Sequence, residues 1–183
     1  MTPPITIYLI GFAGSGKYTI AKEIAKFGYK VIDNQLINNP IFSLLDLDGI
    51  TPISEKAWAS IAIIRAAVLG FISSDTSSNF VFTNVLYDDE INCALYNKVR
   101  QAAKKRNSLF IPVKLNVSFE ERAKRITNPE RLTRFKTTNL AVFHLERELI
   151  KINDSHLLEM DVTDLNAAEA AKEILNFVER MQK

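Results

Sequence analysis

The stretch "IYLIGFAGSGKYTIAKEI", residues 7–24, decides how this chain folds. Its first part belongs to "ITIYLIG", a short apolar, β-branched run closed by glycine, which reads as a fully buried parallel strand. "KYTIAKEIAKFGY" then supplies a helix, with Ile20, Ile24 and Ala21, Ala25 at helical spacing and Gly28 where a C-terminal cap belongs. Between the two, Gly11, Phe12, Ala13, Gly14, Ser15, Gly16 and Lys17 fit the spacing G-x-x-x-x-G-K in the strand-to-helix context that this motif requires. Glycines let successive N–H groups converge on phosphate oxygens at a helix N-terminus, and Lys17 adds a point charge for the outer phosphates. The bland alternative, a glycine-rich turn with an exposed lysine, explains neither the spacing nor the context. One residue departs from the motif: the place after the lysine, where a small Ser or Thr hydroxyl usually touches magnesium, holds Tyr18.

Working outward, "KVID" is a second strand ending in Asp33. Residues 34–47 read as a short helix and an irregular connection broken at Pro40. A long helix entered at Ser54 follows, then the strand "NFVFTNVL", an amphipathic helix over 88–107 with acids first and bases last, and the strand "LFIPVKLN". Ser118 and Glu121 carry the spacing of a capping box. "TNPERLTRFKTTN" has poor periodicity and reads as a mobile connection. A helix at 140–150, the strand "HLLEMDV" and a closing helix complete the chain. Strands alternating with helices imply one domain over residues 1–183, with a five-stranded parallel sheet covered by helices on both faces. Ligands then sit at the carboxyl ends of the strands, where Gly11 and Asp33 both fall.

Composition agrees with a globular chain: 47% hydrophobic and 24% charged residues are enough for a core. A net charge of +2 lacks the footprint of a dedicated nucleic-acid binder. Cys93, the one cysteine, forms no intrachain disulfide, and no leader pattern opens the sequence, so a cytoplasmic location is expected. The apolar segment 58–72 is shorter than the ~20 residues of a membrane span and carries Arg65, so a buried helix is expected there instead.

The loop, the acid closing the second strand, the basic segment and the ending "LLEMDVTDLNAAEAAKEIL" together resemble the P-loop kinases of small molecules, the group of shikimate, gluconate and adenylate kinases. "VIDNQLINNP" is similar to a pattern in the chloramphenicol phosphotransferase-like branch, with its spacing shifted by one residue. The resemblance implies a three-layer α/β/α P-loop NTPase fold, ATP and Mg²⁺ as cofactors, and a small-molecule acceptor; the short apolar segment argues against a membrane partner and the low net charge against nucleic acid. It implies nucleotide binding by Gly11, Ala13, Gly14, Ser15, Gly16, Lys17, Tyr18 and Thr19, with Arg125 stacking on adenine. It also implies a lid at about 126–138, where Arg131 and Arg134 reach for phosphate, with Lys136 in the same cluster. Asp33 would line the acceptor pocket, as base or as metal ligand directly or through water; the plainer role for it is an N-cap, and the two are compatible. Lys17, Asp33 and Arg131 form the expected catalytic set.

Three readings of Tyr18 stay open: an ion held by Asp33 and phosphates with activity kept, a site that binds nucleotide and transfers poorly, or a ring packed on the sheet with a shifted helix start. Thr83 and Asn84 stand where relatives often carry acids, which thins the metal shell further. Asp88 and Asp89 read as first-turn helix residues, and His144 and His156 lack ligand spacing. Phe42, Leu45, Trp58 and Arg65 fall in the region expected to cover the acceptor, with Trp58 expected in the core. The leading function is ATP-dependent transfer of a phosphoryl group to a hydroxyl of a small molecule. Two rivals are a nucleotide-binding regulatory module and a nucleic-acid-end kinase, the last prompted by "KKR" at residues 104–106.

Overall fold

The computed structural model describes residues 3–48, 51–134, 136, 138–140 and 147–183, and of Glu130, Thr133 and Arg134 only the backbone. Five strands, β1 (Ile5–Gly11), β2 (Tyr29–Asp33), β3 (Asn79–Asn84), β4 (Leu109–Asn116) and β5 (Leu158–Asp161), form one parallel sheet in the order β2-β3-β1-β4-β5. The helices are α1 (Lys17–Ala25), α2 (Asn34–Phe42), α3 (Glu55–Ser74), α4 (Glu90–Lys105), α5 (Phe119–Ile126) and α6 (Ala167–Met181), with a 3-10 segment at Pro129–Arg134. The chain leaves β1 toward β2 on one side and leaves β3 toward β4 on the other. That reversal opens a crevice at the carboxyl ends of these two neighbours.

Alternation along β1 sorts the core into two layers. Ile5, Ile7 and Leu9 join Ile20, Ala21 and Ile24 of α1 and Ala170, Ile174 and Val178 of α6. Tyr8 and Ile10 face the other way, toward Ile72 of α3 and Tyr96, Val99 and Ala103 of α4. Tyr8 stacks on Tyr96 with centroids 5.9 Å apart. This is the three-layer α/β/α arrangement expected from the alternation of strands and helices.

Several local expectations need correction. The segment 58–72 belongs to a 20-residue helix, long and apolar enough to cross a membrane by length and composition, and it is not buried: of its residues Ala57, Ile61 and Ile72 are buried, while Ile63 and Phe71 are 72% and 70% exposed. It is apolar on nearly every side, so no polar stripe marks the outward face and periodicity cannot assign one. Trp58 is 44% exposed and packs edge-on against Phe42, outside the core. The expected helix at 140–150 lies largely outside the described residues; Arg147–Ile150 is not helical, and Leu149 forms an isolated antiparallel bridge to Tyr87.

Ser118 caps α5 through the Glu121 N–H at 3.3 Å, while the Glu121 carboxylate turns along the helix to Arg125 Nε at 2.8 Å. The reciprocal capping box belongs to α6, between Asn166 and Glu169. Of the run "KKR", Lys104 and Lys105 are exposed but Arg106 is buried, donating to the carbonyls of Asp75 and Ser78 and to Thr6 Oγ1, over the ring of Phe80. That run therefore contributes two surface charges, not three.

Candidate active site

A cleft of about 650 Å³, within the range usual for ligand pockets, opens where the carboxyl ends of β1, β2 and β3 meet the start of α1. Gly11 closes β1 and is buried, as is Ser15 in the turn of the loop. Gly14 and Gly16 take φ angles of 85° and 81°, a region that other residues rarely enter. A Cβ on Gly14 would also lie 2.9 Å from Arg122 Cγ and 3.0 Å from the Arg122 carbonyl, so α5 packs directly on the loop. Ala13, Gly14, Gly16, Lys17, Tyr18 and Thr19 all line the cleft, with Thr19 exposed.

Lys17 is folded back on its own loop. Its ammonium donates to the carbonyls of Gly11 and Phe12, at 2.7 Å each, and to Ser15 Oγ at 3.2 Å. Burial is the main cause that pulls the group down to about 7; Lys136 and Arg131 add to the effect, and Asp33 opposes it. The lysine thus waits beside dipoles, not beside a carboxylate.

Asp33 takes the plainer of the two roles expected for it and also faces the cleft. It caps α2, its Oδ1 accepting from the N–H groups of Gln35 and Leu36 at 3.0 and 3.2 Å, and it lines the cleft. Its Oδ2 accepts from Thr83 Oγ1 at 2.6 Å. Thr83 therefore orients the carboxylate, and the neighbouring Asn84 accepts from the Tyr8 hydroxyl at 3.1 Å. Behind this floor Arg65 donates to Asn34 Oδ1 and Asn38 Oδ1, at 3.0 and 3.1 Å, and its Nε is buried with no partner among the described residues. Burial pulls the Arg65 guanidinium below its ordinary value.

Opposite Asp33, Arg125, Asn128, Arg131 and Lys136 line the cleft. Arg125 is held by Glu121 and by the carbonyls of Val162 and Thr163, at 3.2 Å each, and stands 3.6 Å from where a Cβ on Gly16 would be. Burial lowers the Arg131 guanidinium as well. The side chain of Arg134, and several positions of the expected lid, lie outside the described residues, as does His144. Asp89 precedes α4 and caps it through the Asn92 N–H, and Asp88 pairs with Lys151, so neither faces the cleft. Phe42, Leu45, Trp58 and Arg65 do not line it either.

Tyr18 lines the cleft in the first turn of α1, which begins at Lys17. Lys22 and Lys136 lie over that ring, 5.7 and 5.5 Å from its centroid. Sequence reading missed Lys22, although its i,i+4 spacing from Tyr18 puts the two on one helix face.

The magnesium expected at this loop fits poorly. An ionised carboxylate offers about four acceptor directions, and Asp33 has three filled. Among the described residues no group of three or more His, Cys, Asp or Glu comes together to hold an ion. Among the described residues the protein offers no cluster that would hold the ion without the nucleotide's phosphates.

No family model and no curated protein matches this sequence. Solved structures do match, along almost the whole chain. A gluconokinase from Sinorhizobium meliloti 1021 superposes with a TM-score of 0.65 at 20% identity, covering 98% of this chain and 94% of that one. The Mycobacterium tuberculosis APS kinase, solved in complex with AMPPNP and APS, superposes with a TM-score of 0.63 at 15% identity over 98% and 99% of the two chains. The tunicamycin resistance protein of Deinococcus radiodurans gives 0.59 at 14%, over 96% and 95%. The fold is that of the P-loop kinases.

Proposed function

We propose that this chain, which has the P-loop kinase fold, is an ATP-dependent phosphotransferase acting on a hydroxyl of a small molecule. One observation carries the reading: Lys17 of the glycine loop, Asp33 at the end of β2, and Arg131 and Lys136 from the far side converge on one cleft at the carboxyl edge of the sheet. Phosphoryl transfer asks for positioning and charge neutralisation more than for covalent chemistry by the protein. These residues are of the types that supply both.

In the proposed reaction the loop N–H groups and Lys17 hold the outer phosphates, and the guanidinium of Arg125 borders the nucleotide's base. Asp33, kept in orientation by Thr83, accepts the proton of the acceptor hydroxyl. The acceptor oxygen forms a bond to the γ-phosphorus as the bond from that phosphorus to the β–γ bridging oxygen breaks. The electron pair of that bond leaves with ADP. Arg131 and Lys136 offset the charge that builds on the transferring oxygens.

The test is transfer from γ-labelled ATP to a panel of small-molecule alcohols, with Lys17→Ala and Asp33→Asn as controls. Product that both variants abolish supports the reading, and absence of ATP binding removes it. The regulatory-module reading draws on Tyr18 in the metal position; it is favoured if ATP binds tightly and no acceptor yields product.

A further inference from the structure

Two amides line the cleft next to Asp33, and each is turned by a partner that stands behind it. Asp33 pairs with Thr83 in the register of β2 and β3, and Asn34 and Asn84 are the next residues on the two chains. All four line the cleft. Arg65 Nη2, reaching over from α3, donates to Asn34 Oδ1 at 3.0 Å and to Asn38 Oδ1, one turn along α2, at 3.1 Å. A guanidinium has donors and no acceptor, so the Asn34 atom that faces it is the carbonyl oxygen. The other end of that amide, Nδ2, donates to no described residue. The buried Tyr8 hydroxyl donates to Asn84 Oδ1 at 3.1 Å and has no second acceptor among the described residues, which turns the Asn84 amide the same way round.

Asp33 complements the two amides. Two N–H groups and the Thr83 hydroxyl fill three of its roughly four acceptor directions, which leaves one for a donor on a ligand. The wall made by the ends of β2 and β3 thus offers one acceptor on Asp33 and NH₂ donors on Asn34 and Asn84. Its lining residues, Asp33, Asn34, Gln35, Thr83, Asn84 and Val85, include no cation, and Arg65 stands behind the amides without lining the cleft. A carboxylate or phosphate placed against this wall would meet the charge of Asp33 with neutral donors alone. A hydroxyl donates and accepts, so a chain of hydroxyls suits both kinds of group.

We propose that this wall reads an uncharged polyol, with one hydroxyl donating to Asp33 and neighbouring hydroxyl oxygens accepting from Asn34 and Asn84. The hydroxyl on Asp33 is the one phosphorylated. Arg65 is a positioning residue, because its hold on the carbonyl keeps the NH₂ end of Asn34 available to the acceptor. The inference rests on the phosphotransferase reading above and names the acceptor class for that site.

The experiment is steady-state transfer from γ-labelled ATP to glycerol, ribitol and glucitol, each beside the acid of the same chain: glycerate, ribonate and gluconate. At least one polyol should exceed its acid by about tenfold or more in kcat/KM. Asn34→Ala should raise the KM for that polyol by about tenfold or more and leave the KM for ATP within about threefold. Arg65→Met should raise the polyol KM in the same sense, and Arg65→Lys, which keeps a donor-only cation for the carbonyl, should recover most of the loss. A merely structural role for Arg65 would lower the urea midpoint without singling out the acceptor KM. Preference for the acids, transfer only to other alcohols, or a polyol KM unmoved by Asn34→Ala overturns the inference and leaves the phosphotransferase reading intact. A polyol KM unmoved by Arg65→Met overturns the positioning role. ATP binding with transfer to no alcohol removes that reading and this inference with it.

Discussion

Nucleotide binding should pull a proton from solution, and the number is set by Lys17. In the nucleotide-free protein its ammonium rests on two carbonyls and a hydroxyl, and burial, reinforced by Lys136, brings it to about 7. A polyphosphate in contact favours the charged form, so the same group in the complex stays protonated well above pH 8. At pH 8 the free protein carries about 0.1 proton on Lys17 and the complex about 1, so binding takes up about 0.9 proton. At pH 6 the uptake falls to about 0.1. Affinity should therefore weaken by roughly fiftyfold between pH 7 and pH 9. The assay is calorimetry at pH 8 in two buffers of different ionisation enthalpy, which returns the proton count directly, with Lys17→Arg as the variant that stays charged and takes up none. Uptake under about 0.2 proton at pH 8, or affinity flat from pH 7 to 9, would refute the reasoning. The sign for stability is the opposite one. A lysine whose folded value lies below its ordinary value of 10.5 leaves the unfolded chain holding more protons, so the nucleotide-free fold should gain stability as pH rises from about 7 toward 10.5.

Other expected outcomes follow from the same contacts. Asp33→Asn should keep ATP affinity within about threefold and stability within about 1 kcal/mol, because Asn still caps α2, while transfer falls by about a hundredfold or more; denaturant midpoints and initial rates separate the two. Gly14→Ala forces a side chain onto a φ of 85° and into Arg122, so it should abolish nucleotide binding and cost about 1–3 kcal/mol in urea unfolding. Arg106→Met removes the donor that satisfies the carbonyls of Asp75 and Ser78 and should lower stability by about 3 kcal/mol, with no effect on ATP affinity.

The frame of this protein was legible because its signals are local. Buried strands announce themselves as β-branched runs, and β1 and β4 fall at the residues that the pattern picks out. The caps at Ser54 and Ser118 and the glycine loop are likewise short-range chemistry. What could not be read depends on tertiary partners. The outward face of α3 carries no polar mark, and the burial of Arg106 is decided by carbonyls some thirty residues earlier in the chain. For the site, Lys17 and Asp33 were named from position in a motif and at a strand end. The second carboxylate oxygen's bond to Thr83 and the collection of Lys22 and Lys136 by Tyr18 depend on how α1, β2, β3 and the residues after α5 meet, which no single stretch encodes.

The long helix α3 has a mechanical meaning. Twenty residues are moored along one side only, by the buried Ala57, Ile61 and Ile72, by the half-buried Val68 and Leu69 against the second core layer, by Trp58 on Phe42 and by Arg65 reaching across to α2. A helix anchored on one side and exposed on the other belongs to the lower part of the local unfolding scale, and its amides should exchange with solvent before those of β1, whose seven residues are all buried. The molecule is in this sense a rigid floor with a compliant wall. Lys17 opens α1 directly after β1's loop and Asp33 closes β2, so both are expected to keep their spacing while α3, which contributes nothing to the cleft lining, opens and re-forms.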